Sequence, residues 1–402
     1  MRGLRDLKKL FVLCSLCSSL LLADDLEDIL SHNKSQLFKY DTKSNKLQND
    51  ILSKRWINPI RLQYKKNYNT QYKNKTIISD NYAVSIDQPI FRSGGIYYSI
   101  KYANASYKVG KDNITMRKRA MIADAVSILF NLKKVKLQQQ KLRYQLKNDK
   151  IDILQKKDSY NAGLLDSSFL DQALLKKSQD KNTLLELKFT ILELKQRFAT
   201  LSDKNPDRLK LPKLKLISKD YYKKHNLQLK KDKDTIVLND YNAKMVRSKY
   251  LPTLSLQGQY LHGTLNPARA TTQKEGYYNY GFSVSMPIDI NSLSDIEKAK
   301  IAKLKAQTQA IDTKQIIAQE YDWIYNSIEI LNKKIALTNQ DIKLYQNLYK
   351  LTKNLVKAGQ KTRLDSDVMY NTLHIRKLDK QIYYIEKQLL LLKLYLRVEN
   401  VI

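Results

Sequence analysis

The sequence predicts a mainly α-helical chain with a small β part, built as a duplicated helix–strand–strand–helix–helix repeat. Three observations carry that expectation. Landmarks recur at nearly one offset, which is how an internal duplication shows itself: Pro59 and Pro252 lie 193 residues apart, Pro89 and Pro287 198, Gly163 and Gly359 196. Four short segments alternate apolar and polar residues with period two, as half-buried strands do. Between and after them the apolar spacing changes to the four-three pattern of coiled coils.

Composition agrees with long helices. Ten Gly and seven Pro in 402 residues are few turn formers for several loop-rich domains, whereas abundant Leu, Lys, Gln and Ala favour helix. The expected order begins with a signal peptide over 1–23. Repeat one covers 24–201, with strands at about 61–73 and 81–88 and long helices at about 95–162 and 166–201. A linker at 202–220, marked by "SDKNPDRLKLPKLK", leads to repeat two over 221–402, with strands at about 253–261 and 277–286 and long helices at about 292–357 and 364–399. Shorter helices, Leu26 to Trp56 and Tyr221 to Tyr250, precede the strand pairs, and Pro59 and Pro252 mark the switch to strand.

Arg2, Arg5, Lys8 and Lys9 precede an apolar run from Leu10 to Leu22 and the small residue Ala23, the pattern of an export signal and too short for a membrane-spanning helix. Both cysteines, Cys14 and Cys17, fall inside it, so the exported chain is expected to hold no disulfide. Lipid attachment is disfavoured, because no small residues precede either cysteine and apolar sequence follows Cys17.

The net charge of +33 reads as lysine-rich, solvated helix faces, since no zinc spacing or nucleic-acid signature accompanies it in a chain expected to be exported. His32, His225, His262 and His374 are scattered without metal-ligand spacing, and neither a nucleophile elbow nor a phosphate-cradling glycine loop occurs. The sequence therefore points away from an enzyme, a cofactor, a metal or a nucleic-acid partner.

The four alternating segments each set one apolar face against one polar face. Leu62, Tyr64, Tyr68 and Tyr72 share a face that Lys66 interrupts, and Tyr82, Val84 and Ile86 alternate with Ala83, Ser85 and Asp87. In the second repeat, Leu254, Leu256 and Tyr260 form one such face, and Tyr278, Tyr280, Phe282 and Val284 the other. A strand of about nine to eleven residues is long enough to cross a bilayer, and tyrosine prefers membrane interfaces, so these faces are expected to meet lipid. Asn74 to Asp80 and His262 to Gly276 are expected to be the turns. Four strands cannot close a barrel, and open edges are untenable in hydrocarbon, so several chains would each contribute four.

The helical seams are explicit. Ile128, Leu132, Val135, Leu142, Leu146 and Ile153 keep four-three spacing, with Gln139 and Asp149 as polar exceptions; Ile324, Ile328, Leu331, Ile335 and Ile342 do the same in repeat two. Leu184, Leu187, Ile191, Leu194 and Phe198 form a third seam, and Leu378, Ile382, Ile385, Leu389, Leu392 and Leu396 a fourth. A second apolar line, Leu344, Leu348, Leu351 and Leu355, implies contact with two neighbours, as a wall of packed helices requires. A helix over 95–162 would run about 100 Å at 1.5 Å per residue.

"SIDQPIFRSGG" (Ser85 to Gly95), "SVSMPIDI" (Ser283 to Ile290), "SKYLPTLSLQGQY" (Ser248 to Tyr260) and the Ala-Gly turns in "YNAGLLDSSFLDQ" and "VKAGQKTRLDSDV" resemble the TolC family of bacterial outer-membrane efflux proteins. The resemblance covers the whole exported chain. It implies a homotrimer whose four strands per chain make one twelve-stranded transmembrane β-barrel in the outer membrane, continuous with a coiled-coil helical tunnel across the periplasm. It further implies a passive exit duct of a tripartite efflux system for drugs or other small molecules, with a periplasmic adaptor (membrane fusion protein), an inner-membrane pump and outer-membrane lipid as partners. The exit channel of a type I protein secretion system is the alternative within that architecture. A periplasmic coiled-coil adaptor or structural protein is the alternative outside it.

By the same resemblance, Gly163 and Gly359 mark the helix turns at the periplasmic mouth, and aspartates beyond the second glycine ring the entrance. Asp365 matches the first of these; Val368 stands at the second, with Asp367 one residue short of it. Lys361 takes a position where the family can carry an arginine tether, Val356 replaces a tyrosine tether, and Asp166 and Asp171 are the candidates in repeat one. From the residues alone, Asp365 and Asp367 read equally well as first-turn acids favoured by the helix dipole.

Overall fold

The computed structural model describes residues 28–73, 75–266 and 276–399, so the expected signal peptide with Cys14 and Cys17 lies outside the described residues. The elements run α1 (His32–Lys54), β1 (Arg61–Tyr72), β2 (Lys75–Phe91), α2 (Gly95–Asn161) and α3 (Ser167–Ala199), followed by α4 (Lys219–Lys224), α5 (Leu227–Lys249), β3 (Thr253–Asn266), β4 (Gly276–Ser285), α6 (Ser292–Lys357) and α7 (Arg363–Leu396). Helix, strand, strand, helix, helix thus occurs twice, with short α4 as an addition. The longest helices, α2 and α6, hold 67 and 66 residues and stand at corresponding places in the two repeats.

The chain divides into two compact units, each assembled from matching pieces of both repeats. Among the described residues, one comprises those of 39–114 and 228–313; the other comprises 28–38, 115–227 and 314–399.

The first unit contains an antiparallel sheet in the order β1-β2-β3-β4. Leu62 lies opposite Val84 and Tyr64 opposite Tyr82; Val84 lies opposite Tyr260, and Tyr260 opposite Tyr278. Directly opposed residues point to the same side, so the four separate alternations merge into a single apolar face. The register shifts between Pro89 and Phe91, where proline has no N–H to give the ladder. Two strands are longer than their alternation indicates. β2 starts at Lys75 rather than 81, with Ile77 and Ile78 opposite Asn69 and Tyr68, and β3 continues to Asn266 rather than 261. Ladder pairing carries both past the point where the side chains turn polar, so most of Asn74 to Asp80, expected as a turn, is strand.

The second unit buries part of each predicted seam and half-buries the rest. Ile128, Leu132 and Val135 on α2, Ile324, Ile328 and Leu331 on α6, and Leu378, Ile382, Ile385 and Leu392 on α7 are all buried, as are Leu194 and Phe198 on α3. Of the second apolar line on α6, Leu348 and Leu355 are half-buried, whereas Leu344 and Leu351 are exposed and belong to a longer exposed stripe. Ile316, Trp323, Ile330, Leu337, Leu344 and Leu351 follow one another at seven-residue steps, each 53–61 % exposed. The helix expected from Tyr221 to Tyr250 is broken at His225, because the chain's C-terminal segment pairs there: Leu227 N donates to Arg397 O (2.8 Å) and Glu399 N to His225 O (2.9 Å). The inter-repeat linker is pinned by buried Gln388, which accepts from Leu214 N (2.7 Å) and donates to Leu214 O (3.2 Å).

Candidate functional site

The helix turns are built alike. Gly163 and Gly359 have φ of +70° and +71°, the left-handed region that a Cβ penalises. At the first, Gly163 N donates to Tyr160 O (3.0 Å) and Leu164 N to Ser159 O (2.9 Å); at the second, Gly359 N donates to Val356 O (3.1 Å) and Gln360 N to Leu355 O (2.9 Å). The same pair of bonds closes α2 and α6, satisfying carbonyls that a helix end leaves open.

The aspartates at these turns have different duties. Asp166 is the N-cap of α3, accepting from Ser168 N at 2.8 Å, and that backbone bond holds its carboxyl below the usual range. Asp365 forms a capping box at the start of α7. Its carboxylate accepts from Thr362 N (3.0 Å) and Thr362 Oγ1 (2.8 Å), while Thr362 Oγ1 accepts from Asp365 N (3.3 Å). The Thr362 hydroxyl, then the Thr362 backbone, lower its pKa, and Lys361 and Gln155 add to the effect. Lys361, Asp171 and Asp367 are exposed.

A polar ladder between α2 and α7 escaped the sequence reading. Gln155 Nε2 reaches Asp365 Oδ1 (3.5 Å), Asn148 Nδ2 donates to Thr372 Oγ1 (3.4 Å), and Lys141 Nζ donates to Asp379 Oδ1 (2.7 Å). The partners step by seven on each helix, 141–148–155 against 379–372–365. Asn371 Nδ2 reinforces the middle rung by donating to Asn148 Oδ1 (2.9 Å). A polar line at heptad spacing beside an apolar seam was the available signal.

Asp149, the polar exception in the α2 seam, is one of two buried acids on that helix. Its side chain is 1 % exposed, 3.1 Å from Lys176 Nζ on α3, and faces Asp180 one turn on from that lysine. Burial, then the hydrogen bond and charge of Asp149, push the Asp180 carboxyl up, and Lys176 pulls it back. Asp112 repeats the pattern against α5. Lys230 Nζ stands 3.6 Å away, and burial followed by the Asp234 carboxyl raises Asp112. In both places a Lys-x-x-x-Asp pair on a neighbouring helix meets an α2 aspartate.

On the sheet, Lys66 lies directly opposite Asp80 with Nζ 4.0 Å from the carboxylate, and Tyr64 Oη donates to Asp80 at 2.9 Å. The interrupting lysine is therefore matched by an acid on the same face. The Tyr64 and Tyr82 rings sit 4.8 Å apart and the Tyr260 and Tyr278 rings 4.9 Å. Leu62, Tyr68, Tyr280, Phe282 and Val284 are largely exposed on this face, Val84, Ile86 and Leu256 partly so. None of the described helices is long and apolar enough to cross a membrane, and no group of three or more His, Cys, Asp or Glu among the described residues could hold a metal.

Residues 223–373 match the family model described as outer membrane efflux protein. Among solved structures, the fold is similar to that of the outer membrane protein VceC from Vibrio cholerae, at 14% identity and a TM-score of 0.71 over 90% of this chain and 92% of that one. It is similar also to the Campylobacter jejuni CmeC outer membrane channel (13% identity, TM-score 0.73, 93% and 84% covered) and to the open state of the Neisseria gonorrhoeae MtrE outer membrane channel (14%, 0.66, 92% and 87%). No curated protein matches the sequence. Residues 223–373 thus carry the likeness to the outer membrane efflux protein family, and the fold of the chain around them is similar to that of solved outer membrane proteins.

Proposed function

We propose that three copies of this chain assemble into the outer-membrane duct of a tripartite efflux system, passing drugs or other small molecules handed on by a periplasmic adaptor and an inner-membrane pump. The observation that carries the reading is the four-stranded sheet, whose outer strands β1 and β4 each pair on one side only and whose tyrosine-rich face is exposed. In lipid such edges must be paired. β1 of one copy against β4 of the next, three times over, closes twelve strands with the apolar face outward. Leu62, Tyr64, Tyr68, Tyr82, Val84, Ile86, Leu254, Leu256, Tyr260, Tyr278, Tyr280, Phe282 and Val284 then meet the bilayer, while the side chain of Tyr72 lies outside the described ones.

The uncovered heptad line on α6 supports the same assembly, because an apolar stripe six residues long at seven-residue steps is the form of a helix awaiting a neighbouring helix. The helices form the periplasmic tunnel, with the glycine turns at its mouth. Of the aspartates there, Asp365 and Asp166 serve as caps, which leaves Asp367 and Asp171, with Lys361, as the groups free to line the entrance and attract cations or basic adaptor residues.

Deletion of the gene followed by drug-susceptibility and secretion assays tests the role. Increased susceptibility with secretion intact is expected; loss of an exported protein with unchanged susceptibility would move the duct to type I secretion. Recovery of the protein in the soluble periplasm, or as a stable single copy in micelles, would reject the duct itself.

A further inference from the structure

A cavity of about 650 Å3 opens in the second unit between α2, α6, α7 and the inter-repeat linker. That volume lies within the range of about 300–1,000 Å3 usual for small-molecule sites, and the gap between helices of a bundle is a favoured place for one. Its floor is apolar: Phe130, Leu137, Pro212, Ile342, Tyr384 and Ile385 line it. One wall is fixed, because Leu214, next to the lining residue Lys213, is clamped through both backbone groups by buried Gln388.

Four exposed lysines, Lys133, Lys213, Lys377 and Lys380, are also among the lining residues, and no carboxylate is. Three acids on the same elements are engaged by other bases. Asp379 holds Lys141 and Arg376, Asp341 holds Arg376, and Asp207 holds Lys136 and Lys195. The four lysines form no ion pair among the described residues, so the rim of an apolar cleft carries positive charge without a carboxylate to match it. An amphiphilic anion answers both features at once, its head neutralising the rim and its body covering the floor.

We propose that this pocket binds a small amphiphilic organic anion, a single carboxylate or sulfonate on an aromatic or aliphatic body. The site is independent of the duct reading, since binding here requires neither conduction nor a pump.

The test uses the full chain in zwitterionic nanodiscs and two fluorescent probes that share one aromatic frame, 8-anilinonaphthalene-1-sulfonate and its uncharged counterpart N-phenyl-1-naphthylamine. Saturable binding of the sulfonate, weakened by salt and at least tenfold tighter than that of the neutral probe, is expected. Lys377→Gln with Lys380→Gln should cost about tenfold for the sulfonate, which is what two ion pairs at a solvent edge sum to, and leave the neutral probe unchanged. Ile342→Trp, which fills the floor, should weaken both probes. Equal affinity for the two probes, or an unchanged sulfonate affinity in the lysine variant, would overturn the proposal. So would a Lys380→Cys side chain that a charged maleimide cannot reach in the assembled protein, for the pocket would then be covered by a neighbouring copy.

Discussion

Replacing Lys176 with methionine should destabilise the chain in a pH-dependent way. The substitution keeps the length and apolar stem of the side chain and removes the cation that stands 3.1 Å from Asp149, whose own side chain is 1 % exposed. A hydrogen bond to a charged group contributes about 1.5–3 kcal/mol. Lys176 is 54 % exposed, so water already screens the ammonium and the lower part of that range applies, about 2 kcal/mol at pH 8. Asp180 supplies the pH dependence. Its folded pKa is raised above the ordinary 3.8, so between 3.8 and the raised value the native state binds more protons than the unfolded chain, and stability falls as pH rises through that window. Without Lys176 the window extends further upward, so the penalty should be nearly full at pH 8 and smaller in mild acid, where Asp180 can keep its proton. Urea unfolding of the full chain, followed by helical circular dichroism at pH 8 and in mild acid, reads this directly. Asp180→Asn should act in the opposite sense, raising stability at pH 8. An equal loss at both pH values for Lys176→Met, or a loss at pH 8 from Asp180→Asn, would refute the reasoning.

Other substitutions separate the remaining roles. Gly359→Ala and Gly163→Ala should each cost about 1–2 kcal/mol through the left-handed backbone alone, since no atom lies within 4 Å of the added Cβ; thermal unfolding checks this. Thr362→Ala should cost about 1 kcal/mol by breaking the capping box. Because the Asp365 pKa is lowered, the stability it contributes is present above the ordinary carboxylate pKa and disappears as pH falls through the folded value, as acid titration of the variant and parent will show. If Asp367 lines the entrance and Asp365 is chiefly a cap, Asp367→Ala should raise passive conductance in planar bilayers while leaving stability unchanged, and Asp365→Ala should lower stability. On the sheet, Phe282→Lys should cost about 2–4 kcal/mol of folding in lipid, whereas Ser283→Lys on the opposite face should be nearly neutral; equal costs would reverse or cancel the assignment of faces.

The local features were legible in the sequence because each is written in a short period or a single residue type. Period two gave the shared face of Tyr64, Tyr82, Tyr260 and Tyr278, four-three spacing gave the buried seams, and the two Ala-Gly pairs gave helix ends with the same bonds. Strand ends were less legible, since ladder pairing carries β2 and β3 beyond the residues whose side chains announce them. The break at His225 needed the C-terminal segment that pairs there. What only the tertiary structure decided is which charges meet. Lys141 finds Asp379 across 238 residues and Gln155 finds Asp365 across 210, and each is an ordinary exposed-looking polar residue in its own helix. Asp149 stood out in the sequence as a flaw in an apolar seam, and packing against α3 is what buries it beside Lys176. Hydrophobic periodicity is a property of one segment, whereas the energy of a charge depends on its partners and on the water left around it, and both are set only when distant segments pack together.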